Sequence, residues 1–237
     1  KDPAAALPKL AAAVASGDVS ERQSALDLLR ESRAVGTNEI ISAALDKLLA
    51  NEFPAEARLE LVEAADRRAD RTIAEKLRKY QATKAATDPV APFRETLVGG
   101  DAERGAKVFY ERTEVSCVRC HKAKDQGGDV GPELTKIAAD KTREYLLEAI
   151  VAPNKTIAKN FESVLVITDD GKSVSGIVKH EDDQALQLMT AEGKLVNVPK
   201  DSIEERAPTK SPMPEDVTKY LSRRDLRDLV EFLSGLK

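Results

Sequence analysis

Apolar positions over the first 86 residues recur with the spacing of amphipathic helices. Ile40, Ile41, Ala44, Leu45, Leu48 and Leu49 follow the helical period, and shorter runs with the same character occur at Ala25, Leu26, Leu28 and Leu29, at Leu59, Leu61 and Val62, and at Ile73, Leu77 and Tyr80. Punctuation residues separate these runs. Asp2 before Pro3 predicts an N-cap and a first helical position, Ser20 with Gln23 predicts a capping box, Thr37 predicts a further cap, and Pro54 opens the next run. About five antiparallel helices follow, stacked as a small solenoid or bundle in which each pair buries its apolar stripe on the next. The segments SALDLL and AALDKLL look alike, but Ala and Leu are so frequent here that composition accounts for the likeness. The plain expectation for this region is a scaffold or interaction surface.

Residues 85–93 carry Asp88-Pro89 and Ala91-Pro92, and because a residue before proline is pushed out of the helical region, this stretch is expected to be a linker. Gly99-Gly100-Asp101 then predicts a turn and an N-cap for a helix through Ala102, Ala106, Val108, Phe109 and Tyr110, with another helix over residues 142–151. From Phe161 the period falls from 3.6 to 2. Val164 and Val166 lead to the hairpin signal Asp169-Asp170-Gly171, then come Val174, Ile177 and Val178, Leu186 and Leu188, the turn Glu192-Gly193, and Leu195, Val196 and Val198. Such a meander predicts a small antiparallel barrel or curled sheet. Ser222 begins a last amphipathic helix with Leu226, Leu229, Val230, Phe232 and Leu233. The chain thus reads as mainly α with a small β insert: a helical domain and linker over 1–92, a discontinuous second domain over 93–160 and 207–237, and the insert over 161–206.

Composition narrows the partners. Lys and Arg number 37 against 41 Asp and Glu, a formal charge of −4, so the field that draws proteins to nucleic acid is absent. No apolar run approaches the ~20 residues of a membrane-spanning helix. The chain begins at Lys1 without an initiator Met or a leader, which reads as a processed protein or an excised fragment. Only two cysteines occur, three positions apart, so their role is local.

Those cysteines belong to Cys117-Val118-Arg119-Cys120-His121, the C-x-x-C-H pattern of c-type haem attachment. Two thiols about one helical turn apart can add to the two vinyl groups of one porphyrin, and the adjacent His lies under the iron as its proximal ligand. Three other uses of the same residues compete with this one. Zinc needs a fourth ligand beyond Cys117, Cys120 and His121, and the remaining histidine is His180, on a predicted strand. A thioredoxin-like pair expects a strand-to-helix junction of a βαβ unit, and none precedes the motif; a plain local disulfide is the remaining rival. For a sixth iron ligand the candidates are Met189, at the end of an apolar strand run, His180, beside acidic residues at a turn, and Met213. Met213 stands in Ser211-Pro212-Met213-Pro214, where two prolines stiffen a non-helical segment and display the thioether at low entropic cost, so it is the expected ligand.

With these residues the chain resembles a class I-like cytochrome c over residues 99–160 and 207–237. The resemblance implies that the helices at 101–110 and 222–236 cross beside the haem. It also implies that in Gly131-Pro132-Glu133-Leu134, similar to the family's Gly-Pro-x-Leu, the Pro132 carbonyl accepts a hydrogen bond from His121 Nδ1 and fixes its tautomer. More narrowly, GGDAERGAKVF, CVRCH, GGDVGPELT, REYLLEAIVAPNKTIA, VSGIV, VPK and SPMP are similar to the haem-binding domain of the Pirellula/Verrucomicrobium type. That domain often ends long exported proteins that carry helical repeats and a sugar-dehydrogenase-like propeller, and residues 1–86 look loosely like HEAT-type repeats. The implied function is electron transfer by one haem c, in a periplasmic or otherwise extracytoplasmic compartment, with a redox partner protein or a fused dehydrogenase. Cys117 and Cys120 tether the haem, His121 and Met213 ligate the iron, Pro132 orients His121, and Leu134, Phe109, Tyr145 and Leu146 are expected pocket walls. On this reading the chain is an electron carrier and no catalyst by itself. A haem-based ligand-binding or peroxidase-like protein with a displaceable Met, and a structural interaction module, are the competing readings.

Overall fold

The computed structural model describes residues 3–237, so the cap expected of Asp2 lies outside the described residues. The chain divides into two compact units, Lys1–Gly100 and Asp101–Lys237.

The first unit is helical: α1 (Pro3–Ser16), α2 (Val19–Glu31), α3 (Thr37–Leu49), α4 (Arg58–Asp66) and α5 (Arg71–Ala82). Leu26, Leu29, Ile41, Leu45, Leu61 and Ile73 form its core, with α1 packed on α2, α2 on α4 and α3 on α5. Two local expectations are corrected, at the caps of α2 and α3. The capping box of α2 is made by Asp18 and Glu21, not Ser20 and Gln23: Asp18 Oδ1 accepts from Glu21 N at 2.8 Å and Glu21 Oε2 accepts from Asp18 N at 3.0 Å. Two carboxylates at the helix N-terminus complement its dipole better than a hydroxyl and an amide do. Gln23 instead donates to the carbonyls of Glu56 and Gly99, at 2.7 and 2.8 Å. The N-cap of α3 is Gly36, at φ +98°, while Thr37 is buried as the first helical residue with its hydroxyl 3.0 Å from Ser32 Oγ.

The proline-bearing stretch expected as a linker is packed. Residues Ala91–Thr96 form a 3₁₀ helix, and Val90, Ala91 and Thr96 are buried. Buried Glu95 accepts from Tyr80 Oη at 2.6 Å and pairs with Lys84 Nζ at 2.7 Å, which ties the segment to the end of α5. Burial, reinforced by the Glu95 carboxylate, pushes the Tyr80 phenol well above its ordinary pKa.

The second unit opens with α6 (Ala102–Glu111), the single turn α7 (Cys117–Cys120), a two-residue ribbon β1 (Lys122–Ala123) and β2 (Gln126–Gly127), and α8 (Arg143–Val151). Five strands follow, β3 (Ser163–Thr168), β4 (Ser173–Glu181), β5 (Ala185–Met189), β6 (Leu195–Pro199) and β7 (Ile203–Thr209), and then α9 (Arg223–Ser234). The sheet is antiparallel with order β6-β5-β4-β3-β7, so it is open and does not close into the barrel that was one of the two expected forms. The reason is topological: β7 returns beside β3, leaving β6 at the opposite edge. The sheet carries its own core of Val166, Leu186, Leu188 and Val198. Its last strand runs to Thr209, past the boundary expected at 206, and Ser163 pairs with Thr209, so the insert leaves and rejoins the helical part at one place.

Helices α6 and α9 pack closely. Asp101 caps α6 through bonds from the Glu103 and Arg104 amides, and Ser222 forms a capping box with Asp225 at the start of α9. A Cβ on Gly105 would fall on the backbone carbonyl of Asp228, so the two helices meet at this approach only because residue 105 has no side chain. Phe109, Tyr110 and Phe232 stack around the contact with ring centroids 4.8 to 5.8 Å apart. Asp228 accepts from Asp101 N at 2.8 Å and from Arg104 Nε at 2.7 Å, and Arg143 grips Glu231 with two bonds of 2.7 and 2.8 Å, which brings α8 onto α9.

Candidate functional site

The site begins with the turn α7, which spaces Cys117 and Cys120 by one helical turn and is entered through Ser116 at φ +45°. His121 leaves that turn in extended conformation, its amide still donating to the Cys117 carbonyl at 3.0 Å. The following loop folds back over the motif. Gly128 N donates to Val118 O at 2.9 Å, Gly131 N to Cys120 O at 2.7 Å and Leu134 N to Lys122 O at 2.7 Å. These bonds bring the Pro132 carbonyl to 2.9 Å from His121 Nδ1, whose N–H donates to it and leaves Nε2 with a lone pair. A Cβ at residue 131 would stand 2.6 Å from His121 Cε1, so the loop can lie against the imidazole only with glycine there.

These residues border a pocket of about 1370 Å³, its open mouth included, whose lining is dominated by apolar groups. Cys117, Cys120, His121 and Met213 all line it, and Pro132 and Leu134 do so beside them. Further walls are Phe109 from α6, Tyr145 and Leu146 from α8, Leu229 from α9 and Ile177 from β4. Burial is the dominant influence on its polar groups. It pushes the Cys117 thiol up to about 11 and raises Cys120, and it lowers His121 against the opposing effect of the Pro132 carbonyl. The site therefore offers uncharged sulfur and a neutral imidazole within apolar walls.

Such donors fit a haem. A large apolar macrocycle finds matching walls, a neutral imidazole nitrogen and a thioether are the axial donors iron takes in cytochromes c, and Gly131 leaves space for the ring of His121 to stand against the loop. They fit zinc poorly, since among the described residues no three His, Cys, Asp or Glu side chains converge as a metal site. His180 is exposed on β4, with Nε2 3.4 Å from Asp182 Oδ2. Met189, paired in register with Ile177 and Leu195, is not among the residues lining the pocket.

Sequence reasoning did not single out Ile177 as a wall or Asn154 as a support. Ile177 is 1% exposed, and which neighbour a strand residue meets depends on how the sheet docks. Asn154 follows α8 and Pro153, and its amide reaches the segment that carries Met213. The only legible signal was its presence in the segment REYLLEAIVAPNKTIA.

A search of the curated proteins finds no match to the chain. Residues 102–163 match the family model described as cytochrome c, a span that contains the Cys117 to His121 motif and the Gly131 to Leu134 loop and ends before the segment with Met213. The second unit therefore contains a cytochrome c domain, which implies covalently bound haem and haem-based electron transfer.

Proposed function

We propose that this protein carries electrons on a single haem c held by Cys117 and Cys120 as thioethers and by His121 and Met213 as axial ligands. The observation that carries this reading is the gathering of all four side chains on one apolar pocket, with His121 Nδ1 tied to the Pro132 carbonyl at 2.9 Å. Bound haem supplies a one-electron iron couple. The chain's own residues do the rest. Pro132 holds the imidazole in one tautomer and raises its basicity toward a metal, the apolar walls keep water from the site, and a thioether from residue 213 closes the remaining axial position and favours the reduced state. The single C-x-x-C-H motif of the sequence supports one haem per chain.

The first unit fits an accessory, HEAT-like scaffold, which supports a place for the cytochrome as the electron-accepting module of a larger exported oxidoreductase working outside the cytoplasm with a redox partner. Among the described residues no helix is long and apolar enough to cross a membrane.

Attachment is tested by intact mass and by haem staining after denaturing electrophoresis of protein made with a haem-ligation system. One haem per chain that survives unfolding, and that is lost when both cysteines become serine, is the expected result. A bare polypeptide mass with stoichiometric zinc would overturn the proposal.

A further inference from the structure

The segment that carries Met213 has few means of holding its own shape. Between the end of β7 at Thr209 and the 3₁₀ turn Val217–Lys219 the chain runs through Ser211-Pro212-Met213-Pro214-Glu215, and the two prolines have no N–H to donate. The amides of Ser211 and Met213 go to side chains instead. Ser211 N donates to Asn154 Oδ1 at 2.8 Å and Met213 N to Ser211 Oγ at 3.2 Å. At the far end, Asn154 Nδ2 donates to Glu215 Oε1 at 2.7 Å, while Lys210 Nζ holds Glu215 Oε2 at 2.9 Å. One amide side chain therefore bridges both ends of a five-residue loop. Asn154 is itself placed by Pro153, which is buried and lines the pocket after α8.

We propose that Asn154 is a positioning residue that clamps residues 211–215 over the pocket and so sets where the Met213 thioether stands. This rests on the reading that Met213 is an axial ligand. A side-chain amide suits the task because it offers an acceptor to one end of the loop and, from a separate atom, a donor to the other; an ionised Asp has no donor, and a hydroxyl has both functions only on a single atom. Loss of two hydrogen bonds that fix a short loop raises its open population on the order of tenfold or more.

The test uses the full-length holoprotein. In Asn154→Ala, trypsin cleavage after Lys210 should quicken about tenfold, CO should bind the reduced protein about tenfold more readily, and the midpoint potential should fall. Asn154→Asp keeps the acceptor for Ser211 N but sets a carboxylate against Glu215, so it should loosen the loop as well. Adding Glu215→Gln should restore the clamp with donor and acceptor exchanged, and bring the potential and CO response back toward those of the unmodified protein. Should Asn154→Ala fail to accumulate, the single and double variants decide, and a double variant as loose as Asn154→Asp overturns the proposal. If Met213→Ala opens the iron to CO while Asn154→Ala changes neither CO binding nor cleavage, Asn154 does not position the loop, though the ligand assignment stands. If Met213→Ala leaves the spectrum unchanged, the ligand assignment fails, and unaltered cleavage in Asn154→Ala then overturns the clamp also.

Discussion

Two methionines occur in the chain, and their surroundings assign them different tasks. Met213 stands in a proline-flanked loop on the pocket, whereas Met189 sits on β5 between the strand partners Ile177 and Leu195. Met213→Ala is expected to lower the midpoint potential, turn the iron partly high-spin and admit CO or cyanide, because under the proposed ligation it removes the thioether that closes the iron. Met189→Leu conserves volume within the sheet and should cost less than ~1.5 kcal/mol with no spectral change. Equilibrium potentiometry and visible spectra of the two variants make the comparison. A wild-type spectrum in Met213→Ala together with a lost one in Met189→Leu would move the ligand to the insert. Gly131 shows the same logic from the other side of the pocket, since its missing side chain is what lets the loop press against His121.

At the level of elements, the contact between α6 and α9 frames the pocket, contributing Phe109 and Leu229 to its walls. Gly105 sets how near the two helices come. Gly105→Ala would put a methyl group on the Asp228 carbonyl and force the helices apart, with the aromatic stack of Phe109, Tyr110 and Phe232 and the Asp228 bonds to Asp101 and Arg104 strained together. A cost of about 1 to 3 kcal/mol follows for overpacking of this kind, which offsets or outweighs the helix-propensity gain of ~1 kcal/mol that alanine brings. Urea unfolding followed by circular dichroism reads the difference. A Gly105→Ala protein as stable as the parent, with an unchanged haem spectrum, would show that the helices can separate at no cost. The sheet contributes at this scale too. It holds its own core in Val166, Leu186, Leu188 and Val198, yet Ile177 of β4 faces the pocket, so the insert is part of the site's wall.

For the molecule as a whole, the division into Lys1–Gly100 and Asp101–Lys237 decides where the chain can be cut. A start near Phe93 would run through the 3₁₀ helix Ala91–Thr96 and expose Glu95, whose partners are Tyr80 and Lys84 in the first unit. A fragment of residues 100–237 omits that network whole instead of splitting it, and keeps the cap at Asp101. We expect it to fold, take up haem and show the redox spectrum of the full chain, because the residues that line the pocket, from Phe109 to Leu233, all belong to the second unit. Soluble expression with a spectrum checks this, and failure to obtain any holoprotein from the fragment would show that the pocket needs the first unit.

What the sequence by itself determined is what depends on near neighbours. The spacing of Cys117, Cys120 and His121, the caps at Asp101 and Ser222, the helical periods of α2 to α5 and the glycine turns at Gly171 and Gly193 are each settled within a few residues, where local geometry and hydrogen bonding dominate. Where two local signals competed, the Asp18 and Glu21 carboxylates took the cap of α2, and packing gave Gln23 a different task, donating to the Glu56 and Gly99 carbonyls. The open sheet, the pairing of Ser163 with Thr209, and the presence of His121 and Met213 on one pocket were decided only by tertiary structure. Each joins residues tens of positions apart, and no periodicity or spacing encodes which strand edge is left free or which amide, here Asn154, meets a distant loop.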